Sequence, residues 1–231
     1  MEKRHNKTRA RTLSCGTACS KLALAALLFV PALLAFKHLA NDTKAVKTTE
    51  ILKIVQITEK PRPRELVKIY SIVKSHRPDI AEPEAWRVSE VILEESLKRD
   101  FDPILVLAVI QVESQFQYTT VSPMGARGIM QIMPDTGKFL TERRGQEIGL
   151  RPASFRPESL DDPLLNIRLG VFYLHDLKKQ FQNLNHALIA YNAGPAEIQN
   201  RIENNLEISD EYATLVLDKY QRYKKTKQST F

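Results

Sequence analysis

Residues 102–116 of the chain read DPILVLAVIQVESQF, and this stretch decides the fold. Asp102 is a residue type that caps helix N-termini, and Pro103 suits the first helical position. The nine residues that follow, ILVLAVIQV, are apolar almost all round the predicted helix. Such a helix is expected to be buried on most sides and to end near residues 113–116.

The sequence on either side of this helix also carries helical patterns. Apolar residues recur at helical spacing over residues 64–75 and 84–99, which predicts two amphipathic helices before the buried one. The same reasoning predicts later helices over 129–133, from 135 onward, and over 163–181, 187–191, 196–204 and 210–223. Residues 143–163 are rich in glycine and proline and are predicted to be irregular. The sequence therefore predicts an all-α domain with little or no sheet.

Charge is distributed unevenly along the 231 residues, whose net charge is +7. Residues 1–40 hold seven of the basic residues and one acidic residue, so the remainder of the chain is close to neutral. A near-neutral body gives little support for nucleic acid as a partner. Both cysteines, Cys15 and Cys19, lie in the basic segment without neighbouring histidines, which is weak evidence for a metal site.

The N-terminal segment combines a basic stretch over residues 3–11 with the apolar run LALAALLFVPALLAF over residues 22–36. This order is typical of a signal or signal anchor. We expect residues 1–40 to form a basic cytoplasmic tail and a membrane-anchor helix, residues 41–61 a linker, and residues 62–231 the folded domain. The alternative is a cleaved signal, although no good cleavage pattern precedes Ala35 or Ala40.

Glu113 is the main candidate for chemistry. It follows ten mostly apolar residues near the C-terminal end of the buried helix. Apolar surroundings and the negative end of the helix dipole both disfavour a carboxylate and raise its pKa. A carboxyl group that stays protonated near neutral pH can act as a general acid on a glycosidic bond. The competing interpretation is a helix-end glutamate that simply reaches solvent.

Several blocks around and after Glu113 resemble the soluble lytic transglycosylase family, in the family's order and spanning roughly residues 95–221. The blocks are Glu113-Ser114-Gln115-Phe116, Gly128-Ile129-Met130-Gln131, the linking-helix residues Asp162-Pro163, Asn166, Gly170 and Tyr173-Leu174, then Ala190-Tyr191-Asn192-Ala193-Gly194, and Tyr212. Ile129 replaces the family's usual leucine, and Gln115 takes a position often held by a smaller residue.

The resemblance implies a fold and an activity. The fold would be lysozyme-like, similar to goose-type lysozyme, and the domain would lie in the bacterial periplasm, held to the inner membrane by a single N-terminal helix. The enzyme would cleave the β-1,4 bond between N-acetylmuramic acid and N-acetylglucosamine in peptidoglycan glycan strands and leave a 1,6-anhydro end. No metal or cofactor is implied. Other cell-envelope proteins are further partners that this interpretation allows, and endo or exo cutting stays open.

The resemblance also implies roles for individual residues. Glu113 would be the single general acid and base, and the substrate-binding residues would be Ser114, Met130, Gln131, Tyr191, Asn192 and Tyr212. Five of these have structural alternatives. Gln131 could be a solvated surface amide. Ser114 could bond its own helix backbone, Met130 could fill the core, Asn192 could cap a helix C-terminus, and Tyr212 could simply pack.

A second carboxylate would change the chemistry, because glycoside hydrolases ordinarily use two. After Glu113 no acidic residue appears until Asp135, and Glu142, Asp161 and Asp162 remain open as a second acid. Two competing functions therefore stand beside the lyase: a goose-type lysozyme-like hydrolase of the same bond, and a catalytically silent peptidoglycan-binding module of an envelope assembly.

Overall fold

The computed structural model describes residues 64–148 and 151–225, which form helices joined by turns. Two short 3-10 helices, Pro152–Ser154 and Pro157–Asp161, precede the fifth α-helix. The α-helices are α1 Arg64–His76, α2 Glu82–Lys98, α3 Pro103–Ser114, α4 Pro134–Ile148, α5 Pro163–Phe181, α6 Leu184–Ala193, α7 Pro195–Glu203 and α8 Glu211–Lys225. Pairing between extended segments in the described part of the chain is limited to isolated bridges. The predicted all-α fold is confirmed.

The predicted membrane anchor and linker lie outside the described residues. Within the described ranges, no helix has both the length and the apolar character that a membrane span requires.

Helix α3 lies at the centre of the core. Its start is fixed by Asp102, whose side chain accepts a hydrogen bond of 2.9 Å from the backbone N–H of Ile104. Every residue from Val106 to Ile110 is fully buried, as expected for a helix that is apolar all round. Helices α1, α2 and α8 pack against it. This packing holds Glu113, in the last turn of α3, at the boundary of the core.

Helices α5 and α6 pack against each other, and α6 also packs against α7 and α8. Asn183 caps α6 by accepting a hydrogen bond from the backbone N–H of His186. Helix α6 ends where Gly194 adopts a φ of +90°, a conformation that favours glycine. The C-terminal end of α6 and the N-terminal end of α8 therefore both carry side chains toward the end of α3.

Two expectations about the middle of the chain are wrong. Residues 129–133 form a turn and not a helix, because Arg127 and Ile132 exchange two backbone hydrogen bonds of 3.0 and 2.9 Å across it. The region after residue 143 is less irregular than predicted, since α4 continues to Ile148 despite Gly145. The other predicted helices agree with the structure to within a few residues.

Candidate active site

Glu113 is half-buried at the end of α3, and the hydroxyl of Tyr212 donates a hydrogen bond to its Oε1. Burial raises the pKa of Glu113 to about 7, in the direction that the sequence predicted, and the hydrogen bond from Tyr212 partly opposes this rise. The carboxyl group is therefore protonated in a large fraction of molecules near neutral pH. It has the acidity that a general acid needs.

Two tyrosines interact electrostatically with Glu113. Tyr212 lies in the first turn of α8, and Tyr191 lies near the end of α6, where its ring centroid is 5.4 Å from that of Tyr173. Burial raises the pKa values of Tyr191 and Tyr212 well above their usual range, and negative charge on Glu113 raises both further. Both hydroxyls therefore stay protonated and available as hydrogen-bond donors.

The turn at Gly128–Gln131 depends on two residues with positive φ, Gly128 and Gln131. Gly128 has a φ of +82°, and a Cβ there would lie 2.2 Å from the carbonyl oxygen of Leu160, so only glycine fits. Gln131 also has a positive φ, of +49°. Its amide nitrogen donates to the carbonyl oxygens of Thr120 at 2.9 Å and of Gly128 at 2.8 Å. These bonds fix the side chain of Gln131 and leave its amide oxygen as the group that can meet a ligand.

The side chain of Asn166 on α5 holds this turn by hydrogen bonds, a role that the sequence did not reveal. Its side chain is fully buried and makes three hydrogen bonds. It donates to the carbonyl oxygens of Arg127 and Leu160 and accepts from the backbone N–H of Met130, at 2.9, 2.8 and 2.7 Å. One amide thus bonds to three backbone groups, which is the pattern expected of a side chain that fixes a loop.

Three of the predicted binding residues have structural partners. The hydroxyl of Ser114 donates to the carbonyl oxygen of Ile129 at 2.7 Å, which joins the end of α3 to the Gly128–Gln131 turn. The side chain of Met130 is fully buried against Gly170, where an added Cβ would lie 2.5 Å from its sulfur. A substrate contact by the Met130 side chain is therefore not supported, because the residue fills the core. The hydroxyl of Tyr191 donates to the carbonyl oxygen of Met130 at 2.9 Å.

Asn192 and Tyr212 share an open cavity of about 480 Å³ between the end of α6, α7 and the start of α8. Asn192 is exposed on the last turn of α6, and the C-cap of that helix is Gly194, so Asn192 is not the cap. The cavity wall combines charged Glu197 and Arg201 with apolar Leu215. It can therefore receive a ligand that has both polar and apolar surfaces.

Two of the three candidates for a second carboxylate are engaged elsewhere. Asp161 forms a two-bond ion pair with Arg127, at 3.2 and 2.7 Å, and Asp162 caps α5 by accepting from the backbone N–H of Leu164. Glu142 is exposed on α4. The pKa of Glu113 responds to burial and to Tyr212, and no second carboxylate among the described residues contributes to its shift.

The described part of the chain contains no cluster of side chains suited to a metal ion. Within residues 64–148 and 151–225, no three histidine, cysteine, aspartate or glutamate side chains lie together in a way that could hold an ion.

Comparison with known proteins identifies the family. The family described as "Transglycosylase SLT domain" matches residues 90–213, more than half of the chain. The chain belongs to this family. The matched SLT segment begins in α2 and ends at the start of α8, so it contains Glu113, the Gly128–Gln131 turn and Tyr212.

Two relatives are similar over part of the chain. The soluble lytic murein transglycosylase of Escherichia coli strain K12 is 34% identical over 100 residues, which cover 43% of this chain and 15% of that protein. The membrane-bound lytic murein transglycosylase C of Mannheimia succiniciproducens is 29% identical over 146 residues, 59% of this chain and 38% of that protein. The chain spans well under half the length of either relative.

A solved structure shows the same fold. The 70 kDa soluble lytic transglycosylase from Escherichia coli superposes with a TM-score of 0.53 at 23% sequence identity, over 70% of this chain and 29% of that one. This similarity concerns the fold, and the lysozyme-like domain that the sequence predicted agrees with it.

Proposed function

We propose that the chain is a peptidoglycan lytic transglycosylase with Glu113 as its single acid–base residue. The observation that carries the proposal is a half-buried carboxyl group with a pKa of about 7, hydrogen-bonded by a tyrosine. The family membership of residues 90–213 and the names of the relatives support the same activity. The substrate is then the glycan strand of peptidoglycan, cut between N-acetylmuramic acid and N-acetylglucosamine.

In the first step, protonated Glu113 donates its proton to the glycosidic oxygen as the C1–O bond breaks. Because its pKa is about 7, the acid form is populated near neutral pH while its conjugate base is still strong enough for the second step. Tyr212 donates a hydrogen bond to the carboxylate left behind and stabilises it. The departing N-acetylglucosamine leaves as an alcohol.

In the second step, the C6 hydroxyl of the same N-acetylmuramic acid attacks C1 and transfers its proton to ionised Glu113. A new C6–O–C1 bond closes the 1,6-anhydro ring, and Glu113 returns to its protonated form. The attack is intramolecular, so its effective concentration is high and no second carboxylate is needed. The engagement of Asp161 with Arg127 and the capping role of Asp162 agree with a single-carboxylate reaction.

The remaining site residues divide into those that bind and those that position. Gln131 presents its amide oxygen, and Asn192 stands exposed at the cavity beside Tyr212, so we assign these two to sugar binding. Ser114 and Tyr191 bond to backbone carbonyls of the Ile129–Met130 turn. Ser114 joins the turn to α3, which carries Glu113, and Tyr191 joins it to α6.

The location follows from the substrate and from the N-terminal segment. We propose that residues 1–40 anchor the chain in the inner membrane and that the catalytic domain works in the periplasm, with secretion after signal cleavage as the alternative. A relative is named as membrane-bound, which supports an envelope association. Other envelope proteins are compatible partners.

The test is turnover of purified peptidoglycan by the wild type and by Glu113→Gln. We expect Glu113→Gln to release no soluble fragments while it stays folded and still binds the insoluble wall, because only the proton donor is lost. Glu142→Gln is the matched control, since it neutralises an exposed glutamate on α4 and should cleave like the wild type. Cleavage by purified Glu113→Gln at the wild-type rate would refute the assignment.

A further inference from the structure

The turn that follows Glu113 has an uncommon backbone. Gln115 and Phe116 both adopt left-handed conformations, with φ values of 53° and 67°, and neither is a glycine. Such residues are costly and persist only where the surrounding structure holds them. The backbone N–H of Gln117 donates a hydrogen bond of 3.0 Å to the carbonyl oxygen of Ser114. This bond closes the turn directly after Glu113. The turn is therefore joined directly to the last turn of α3, which carries Glu113.

Two adjacent residues contact Phe116: His76, the last residue of α1, and Arg77, which follows it. The imidazole ring of His76 stacks on the phenyl ring, with centroids 4.6 Å apart and planes inclined by 7°. The Nη1 atom of Arg77 donates a hydrogen bond of 3.0 Å to the carbonyl oxygen of Phe116. Phe116 is itself fully buried. Its ring is held by His76 and its carbonyl by Arg77.

Arg77 is itself held in place on two further sides. Asp79 accepts two hydrogen bonds from its guanidinium, at 2.8 and 2.7 Å. The guanidinium carbon lies 4.4 Å from the centroid of the Tyr118 ring, a cation–π distance. A planar group bonded in this way has one orientation, which a lysine at the same position could not reproduce.

We propose that Arg77 is a positioning residue for Glu113: by holding the Phe116 carbonyl it fixes the left-handed turn that aims the carboxyl group. The proposal rests on the proposed function of Glu113. Arg77 precedes the residues 90–213 that the SLT family matches, so this contact adds a segment outside the matched region to the active site. The end of α1 and the residue after it thereby contact a site whose other residues lie in the matched segment.

The test compares Arg77→Met, Arg77→Lys and a matched control, Arg143→Met, in the full chain. Arg143 also pairs with an aspartate, Asp176 at 3.5 Å, and lies 5.3 Å from an aromatic ring, but it makes no bond to the turn. We expect Arg77→Met to lower kcat between about tenfold and a hundredfold with little change in KM, because a displaced acid slows the chemical step. Arg77→Lys should restore part of the rate, and Arg143→Met should keep all of it.

Two further readouts separate positioning from general destabilisation. In Arg77→Met, the alkaline limb of the pH–rate profile should move to lower pH as Glu113 becomes more solvated, and the Cα chemical shifts of Gln115 and Phe116 should move away from left-handed values. Wild-type kcat in Arg77→Met, or a loss that matches the fraction of unfolded protein with unchanged shifts, overturns the proposal. If wild type and Glu113→Gln are equally inactive, the proposed function fails instead, and the chemical shifts still decide whether Arg77 holds the turn.

Discussion

Replacing Glu113 by glutamine should stabilise the protein at alkaline pH while it removes activity. The pKa of Glu113 is raised from an ordinary 4.5 to about 7 in the folded protein, so the folded state binds its proton more tightly than the unfolded state does. The contribution of this proton to stability is fully present below pH 4.5 and is lost as the pH rises through 7. At 1.36 kcal/mol for each pKa unit, the wild type loses about 3 kcal/mol over this interval.

Glutamine does not titrate, so the free energy of unfolding of the variant does not fall with this ionisation as the pH rises. Its amide oxygen can still accept the hydrogen bond from Tyr212, which keeps the local geometry comparable. We therefore expect the difference in the free energy of unfolding, variant minus wild type, to be about 3 kcal/mol more favourable at pH 8 than at pH 4. Other titrating groups are common to both proteins and cancel in this difference.

The assay is urea denaturation of both proteins at pH 4, 6 and 8, with Glu142→Gln as a control for removing a glutamate charge from the surface. A difference that is the same at pH 4 and pH 8 would contradict the reasoning, because it would mean that ionisation of Glu113 costs the folded protein nothing.

Three further substitutions have expected outcomes. Tyr212→Phe removes the donor that stabilises ionised Glu113, so the alkaline limb of the pH–rate profile should move up by about one unit; an unmoved limb would contradict this role. Asn166→Ala removes the partner of the buried Met130 N–H and of the buried Leu160 carbonyl and should lower the free energy of unfolding by about 3 kcal/mol, measured in urea. Gly170→Ala should cost about 1–3 kcal/mol in the same assay, because its methyl group meets the Met130 sulfur.

The parts of the structure that the sequence predicted depend on local pattern. The apolar run after Pro103 determines a buried helix by itself, and the position of Glu113 at its end follows from the same run. The start of the helix over residues 163–181 also has a local cause, because Asp162 caps it and Pro163 takes its first position.

The parts that the sequence did not reveal depend on partners distant along the chain. Asn166 bonds to backbone groups as many as 39 residues away, and Arg77 reaches Phe116 across the same separation. Nothing near either residue in the sequence indicates these contacts. The mistaken helix over residues 129–133 has a similar origin: its residues have ordinary helical propensity, and the bonds from Asn166 and between Arg127 and Ile132 override it.

The measurement that tests the central claim most directly is mass spectrometry of the fragments released from purified peptidoglycan. A single carboxyl group that uses the C6 hydroxyl of the substrate as nucleophile predicts fragments ending in 1,6-anhydro-N-acetylmuramic acid from the wild type, and none from Glu113→Gln. Reducing ends in place of anhydro ends would contradict the lyase mechanism and favour a hydrolase, and the absence of any fragments from the wild type would favour a binding module.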